Sequence, residues 1–236
     1  MSGTLRTVTV PALEVIPRLV HGFEQRLGPA GWEDRDETRR RVAEAVAGSG
    51  RLQLLKQVHG CRVLSAPWEG RPEADAGVTD EPGVILGIET ADCQPVLLVD
   101  PLARRVAAVH AGWRGTAAGV TAAAVAALVT RGSRPSDIVA ALGPAIGVCC
   151  YEVGPELRAS FPDEFFRPGP RGTLRLDVRA ANVRQLEEAG IVPAHIHHVA
   201  DCTMCRADLY HSYRREGKGA GRMVSFVGFA KPGAGR

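Results

Sequence analysis

Apolar and polar positions alternate, run together or recur at helical spacing in turn along this chain, and each pattern predicts an element. Thr7-Val-Thr-Val10 is a β-type run that Pro11 should end. Between residues 33 and 48, Val42, Ala45 and Val46 recur at helical spacing. Glu37, Arg39, Arg40 and Arg41 supply the wet side, so a helix is expected there. Leu52 to Val58 reads as an extended apolar run leading into Gln57-Val-His-Gly60, which places His59 at the end of a strand. Residues 66–75 form a loop, held to the surface by prolines and charges.

Two unbroken apolar runs follow, Gly83 to Ile88 and Pro95 to Val99, separated by Glu89-Thr-Ala-Asp-Cys-Gln94. Strands apolar on both faces belong inside a layered fold covered on each side. A third run, Val106 to Val109, ends at His110. Ala111-Gly-Trp-Arg-Gly115 then leads into a helix expected over 116–129, with Val120, Ala124, Ala127 and Leu128 as its buried stripe. The second half predicts a strand at 138–142, a helix at 154–160, a glycine- and proline-rich loop at 167–172, a helix at 178–189, and strands at 196–200 and 222–227. No internal repeat or linker divides the chain, so residues 1–236 are expected to form one α/β domain.

Composition narrows the function classes. At 236 residues, 45% hydrophobic and 23% charged, the chain has ordinary globular usage, which excludes a disordered protein and a membrane protein. Lys and Arg number 29 against 26 Asp and Glu, a net +3 that is too small to argue for nucleic acid but leaves room for an anionic small substrate. The start, MSGTLRTVTVPALEV, lacks a signal-peptide pattern, so a cytoplasmic protein is expected. The six cysteines at 61, 93, 149, 150, 202 and 205 then read as thiols. Cys202-Thr-Met-Cys205 is a lone C-x-x-C, and adjacent Cys149 and Cys150 are expected to point apart, so no four-ligand zinc site is expected.

His59, Cys93 and His110 each end or interrupt an apolar strand, where side chains are free to converge. Two imidazoles and a thiolate suit zinc and leave the fourth tetrahedral position open, the catalytic arrangement. The same residues admit two other readings: Cys93 as a small buried hydrophobe beside satisfied histidines, or Cys93 as nucleophile with His110 as base in a thiol hydrolase. In His110-Ala-Gly-Trp-Arg-Gly115, two glycines precede a helix start and Arg114 adds a fixed guanidinium. That makes a candidate phosphate or carboxylate site at Arg114 and Gly115. Asp201 to Arg215 combines phenols, hydroxyls and paired arginines. It could line a pocket for a polar aromatic ligand, with Tyr213 stacking and Arg214 supplying charge.

Taken together, Gln57-Val-His-Gly60, Ala74-Asp75 with Val78-Thr79, Thr90-Ala-Asp-Cys-Gln-Pro95, His110-Ala-Gly-Trp-Arg-Gly115, Gly143 to Val153, Cys202-Thr203 and Ser212-Tyr-Arg-Arg215 resemble the YfiH family. That family is also labelled laccase-domain protein, polyphenol oxidase or peptidoglycan editing factor. The motifs occur in family order over residues 52–227. The resemblance implies a single-domain, mixed α/β layered sandwich. It also implies a zinc-dependent purine nucleoside phosphorylase that splits adenosine, inosine, guanosine or methylthioadenosine with phosphate and also deaminates adenosine. It assigns the metal to His59, Cys93 and His110.

The chain departs from the family pattern before residue 50, where only Gly22-Phe23 and Arg26 match, and Arg26 joins the expected substrate-binding residues. In the expected chemistry, Arg114 and the following helix amides hold phosphate, and Asp92 shuttles a proton during deamination. A copper-dependent phenol oxidase is the alternative carried by the older label, although three Met in all supply no obvious blue-copper set. Neither a nucleic-acid nor a membrane partner is expected, and the chain is expected to be a monomer or homodimer.

Overall fold

The computed structural model describes residues 5–27 and 34–234, so Glu33, the expected first residue of a helix, and residues 28–32, the end of the stretch that departs from the family pattern, lie outside the described residues. Two β-sheets face each other. One holds, in spatial order, Thr7–Val8, Leu19–Glu24, Met223–Phe229, Val84–Thr90 and Arg51–Leu54. The other holds Ile196–His198, Val139–Leu142, Gln94–Asp100, Arg105–Ala111, Ala76–Thr79 and Val63–Ser65. Both are mixed: Arg51–Leu54 runs parallel to its neighbour in the first sheet, and Val63–Ser65 and Ile196–His198 run parallel to theirs in the second.

The two-residue side-chain period of a strand explains why these runs are apolar on both faces. Leu97, Val99, Val106 and Ala108 pack with Leu86, Ile88, Val227 and Phe229 between the sheets. Their alternates, Val96, Leu98, Ala107 and Val109, face outward onto Val120, Ala124, Val125 and Leu128 of the helix Val120–Thr130 and onto Leu186. On the far side, Ile85, Val224 and Phe226 meet Val42 and Val46 of the helix Arg35–Val46. The result is a helix–sheet–sheet–helix sandwich, the mixed α/β architecture expected. A small third sheet, Glu152–Val153, Leu174–Leu176 and Phe166–Pro168, carries a satellite core that backs Trp113 and Tyr151.

Several sequence expectations change. The strand expected to run to Val58 stops at Leu54, so His59 sits five residues beyond it, in a loop, with φ +62°. His110 lies within its strand, which extends to Ala111. The helix expected over 116–129 is two pieces, Trp113–Ala117 and Val120–Thr130, broken where Gly119 takes φ +81°. Residues 155–159 form a 3-10 turn rather than an α-helix.

Candidate active site

His110 follows Val106 and Ala108 in strand parity, so its side chain turns toward the opposing sheet at the open end of the sandwich. Its strand pairs antiparallel with Gln94–Asp100, with Gln94 opposite Ala111, which brings Cys93 beside it. His59 arrives on the loop after Arg51–Leu54. That loop is tied down by Gln57, whose amide side chain bonds both backbone groups of Glu89, at 2.7 and 2.8 Å. The potential ligand atoms of His59, Cys93 and His110 all lie within 4.8 Å of one another. The two imidazoles meet edge to face, with ring centroids 4.8 Å apart.

Asp75 organises the cluster, and sequence reasoning gave it no role. Fully buried, its carboxylate accepts from His110 Nδ1 at 2.8 Å and from the backbone N–H groups of His59 at 2.9 Å and Gly60 at 2.6 Å. The amides hold the His59 loop in its left-handed turn. The contact to Nδ1 directs the other ring nitrogen of His110 toward the cluster. Among 26 acidic residues, no spacing singles out Asp75; its signals are its place in the Ala74-Asp75 motif and its position at the end of a charged loop, next to a buried strand.

The electrostatics are those of a tightly coupled set. Burial pushes the Cys93 thiol up, but His110 and His59 outweigh it and bring its pKa to about 6. Burial works against the His110 imidazolium, yet Cys93 and Asp75 raise its pKa to about 9. Burial likewise opposes the Asp75 carboxylate, and hydrogen bonds from His110 and Gly60 more than reverse it, leaving the pKa lowered.

The donor chemistry of the trio fits a metal ion: two imidazole nitrogens and one readily ionised sulfur, with a carboxylate behind one imidazole. Gly112 supports the fit. A Cβ there would stand 2.9 Å from His59 Cδ2 and 3.0 Å from Cys93 Sγ, so the space occupied by the ligands requires glycine.

The cluster opens into a cleft of ≈ 770 Å³. Trp113, Tyr151 and Tyr213 supply aromatic faces, and Arg35, Arg114, Arg214 and Arg222 are among its basic residues. Arg114 stacks on Trp113 at 4.4 Å, and among the described residues no hydrogen bond or ion pair takes up its guanidinium. Arg39 and Arg71 are paired with Glu89. Positive charge therefore exceeds negative along the wall, a setting for an anion.

Asp92 also lines the cleft, with φ +85°. Its carboxylate accepts from Thr203 Oγ1 at 2.6 Å, Ser212 Oγ at 3.1 Å and the Arg214 N–H at 2.6 Å. With three donors on it, Asp92 clamps the 203 and 212–214 segments together, and shuttling a proton would require it to release one of them. Tyr213 and Arg214 line the cleft. Gly115 is buried beneath it, where a Cβ would meet the Gly60 carbonyl oxygen at 2.9 Å. Arg26 lies elsewhere: it is 2% exposed, bonded to the Ala207 carbonyl and paired with Glu216, and it does not line the cleft. The five-residue helix at Trp113 offers less dipole to an anion than the long helix expected there.

Fold and site together define a mixed α/β sandwich protein with a His-Cys-His cluster at the open end of its paired sheets. Residues 33–230 match the family model described as multi-copper polyphenol oxidoreductase laccase. The chain is 39% identical over 210 residues to "Purine nucleoside phosphorylase YlmD" of Geobacillus stearothermophilus, covering 80% of this chain and 77% of that one. It is 36% identical over 197 residues to "Adenosine deaminase RL5" from an unknown prokaryotic organism, covering 75% and 74%. The crystal structure of Bacillus licheniformis hypothetical protein YfiH superposes with a TM-score of 0.85 at 27% identity, covering 96% and 99%. The chain belongs to the YfiH family of laccase-domain proteins.

Proposed function

We propose that the protein is a zinc-dependent purine nucleoside phosphorylase that also deaminates adenosine. The observation that carries this reading is the cluster of His59, Cys93 and His110 opening into a cleft with aromatic faces and surplus positive charge. Relatives named as a phosphorylase and an adenosine deaminase support it.

In phosphorolysis, a phosphate oxygen forms a bond to the anomeric carbon as the glycosidic C–N bond breaks. The bonding pair leaves with the base, which takes up a proton, giving ribose 1-phosphate. Arg114, which no protein acceptor occupies among the described residues, holds the phosphate with Arg214 and Arg222 nearby. Tyr151 and Tyr213 stack against the purine. In deamination, water oxygen bonds to C6 of adenine and ammonia departs with the bonding pair. A zinc ion held by His59, Cys93 and His110 supplies Lewis-acid polarisation in this chemistry. Asp92 keeps the walls that carry Tyr213 and Arg214 in register with the ligands.

Loss-of-ligand variants test the reading. Cys93→Ala and His110→Ala should lose zinc from this cluster together with both activities. A specific observation favours a second reading: Asp75, His110 and Cys93 line up as orienter, base and thiolate, as a thiol hydrolase requires. Activity lost by Cys93→Ala while zinc at the cluster is fully retained would favour that reading. Copper remains the alternative metal. No methionine among the described residues lines the cleft to serve as an axial thioether, and metal analysis with an oxygen-uptake assay separates copper oxidation from phosphorolysis.

A further inference from the structure

The expectation that Cys149 and Cys150 could not pair with Cys202 and Cys205 is overturned by the turn that carries them. Cys150 and Tyr151 both bond back to the Gly147 carbonyl, a tight reversal that presents two adjacent sulfurs to one side. A bridge between Ala145 and Cys202, with Thr203 N bonded to the Ala145 carbonyl at 3.0 Å, sets the C-x-x-C loop against that turn. All four sulfurs lie within 4.8 Å of one another. Cys205 Sγ is 3.4 Å from Cys150 Sγ and 3.8 Å from Cys149 Sγ.

These separations suit one ion. A tetrahedron with zinc–sulfur bonds of about 2.3 Å has sulfur–sulfur edges of about 3.8 Å. A disulfide needs sulfurs at about 2.05 Å, and an iron–sulfur cluster interposes its own atoms between more widely spaced thiolates. Backbone N–H groups already point at Cys202 Sγ, from Gly147 at 3.2 Å and from Met204 and Cys205 within the loop. Such N–H···S contacts stabilise a thiolate ligand. Arg179 stands within electrostatic reach of Cys149 and Cys202, and offsets charge left by four thiolates around one divalent cation.

We propose that Cys149, Cys150, Cys202 and Cys205 form a second, structural zinc site, distinct from the His59–Cys93–His110 cluster. Each thiol gives up its proton to solvent as its sulfur binds, and all four positions around the ion are filled by protein, so the site is closed to substrate. It ties the 143–151 loop to the 202–205 loop. Ile146 N bonds the Asp92 carbonyl, Thr203 bonds the Asp92 carboxylate, and Tyr151 lines the cleft. The site therefore braces one wall of the cleft from behind. It stands independently of the reaction proposed above.

The test is metal stoichiometry on the full chain after growth with zinc, with a mercurial reagent releasing thiolate-bound metal to a colorimetric chelator. The wild type should hold about two zinc ions per chain, Cys205→Ala about one, and His59→Ala about one. Cobalt substitution of the wild type gives a readout that needs no variant. Intense red-region bands with a strong sulfur-to-cobalt charge-transfer band are expected from a tetrathiolate site, and should persist in His59→Ala. One zinc in the wild type, unchanged in Cys205→Ala, overturns the proposal. So do iron in place of zinc, a disulfide with two thiols missing from the count, or cobalt spectra that lack tetrathiolate bands.

Discussion

Asp75 and His110 meet at 2.8 Å between a fully buried carboxylate oxygen and Nδ1, and the Asp75 backbone carbonyl accepts the His110 N–H at 2.7 Å. The same carboxylate holds the amides of His59 and Gly60. One side chain thus sets the direction of two imidazoles that approach from different parts of the chain.

Replacing this carboxylate should be felt at the metal. In Asp75→Asn, an amide NH2 facing Nδ1 favours the imidazole tautomer with its proton on the other nitrogen, where it blocks a ligand lone pair. We expect zinc affinity of the His59–Cys93–His110 cluster to fall by about 10–100-fold, measured by competition with a chelator. Unchanged affinity would remove Asp75 from the account.

Gly112 tests the same cluster by volume. The added methyl of Gly112→Ala would stand 2.9 Å from His59 and 3.0 Å from Cys93. Either the His59 loop moves or the sulfur does, and both separate the ligands. Folded protein with reduced zinc at this cluster and little turnover is the expected result; full metal content and activity would contradict the geometry.

Arg114→Gln probes the anion. A lost charge-assisted hydrogen bond costs about 1.5–3 kcal/mol, so the KM for phosphate should rise by about 10–100-fold. Deamination, which uses no phosphate, should be nearly unaffected. Equal impairment of both reactions would show that Arg114 holds the nucleoside or the fold instead.

Tyr213 is 50% exposed on the rim of the cleft, as a stacking face that closes over a base would be. In Tyr213→Ala, the KM for adenosine should rise by about 2–10-fold, corresponding to about 0.5–1.5 kcal/mol of stacking. No change for any purine nucleoside would place the base elsewhere.

Away from the cleft, Arg41 and Glu24 form a buried pair at 2.6 Å, 9% and 2% exposed, and Glu24 also accepts the Val224 N–H. Arg41→Ala removes the guanidinium paired with that carboxylate beneath the helix Arg35–Val46. A loss of about 3–5 kcal/mol in unfolding free energy is expected by denaturant titration. A loss within the range of an ordinary surface substitution would contradict it.

The strands were legible because both of their faces are buried. Val84–Thr90, Gln94–Asp100 and Arg105–Ala111 are each built on a continuous apolar run, and each lies inside its sheet rather than at an edge. The irregular parts were not legible, since side-chain hydrogen bonds rather than periodicity set them. Gln57 substitutes for a ladder partner beside Glu89, so the apolar run to Val58 outlasts its strand. Of the site, the His-Cys-His trio could be read from motif resemblance, whereas the strand-end pattern misplaced His59, which lies in a loop, and His110, which lies inside its strand. Asp75 could not, because its importance lies in donors contributed by two other segments, the His110 ring and the amides of the His59 loop. The four-cysteine cluster was not legible because adjacent side chains diverge in a strand, whereas Cys149 and Cys150 sit in a turn. Arg26 is drawn away from the cleft by Glu216 and the Ala207 carbonyl, partners that no local pattern announces.

The central claim is that the His59–Cys93–His110 cluster, once it holds zinc, acts on purine nucleosides. Adenosine incubated with zinc-loaded and with metal-stripped protein, with and without phosphate, and resolved by chromatography tests it most directly. Adenine with ribose 1-phosphate should appear only when zinc and phosphate are both present, and inosine should form with zinc alone. Unaltered adenosine in every zinc-loaded sample, or equal turnover by the stripped protein, would contradict the account.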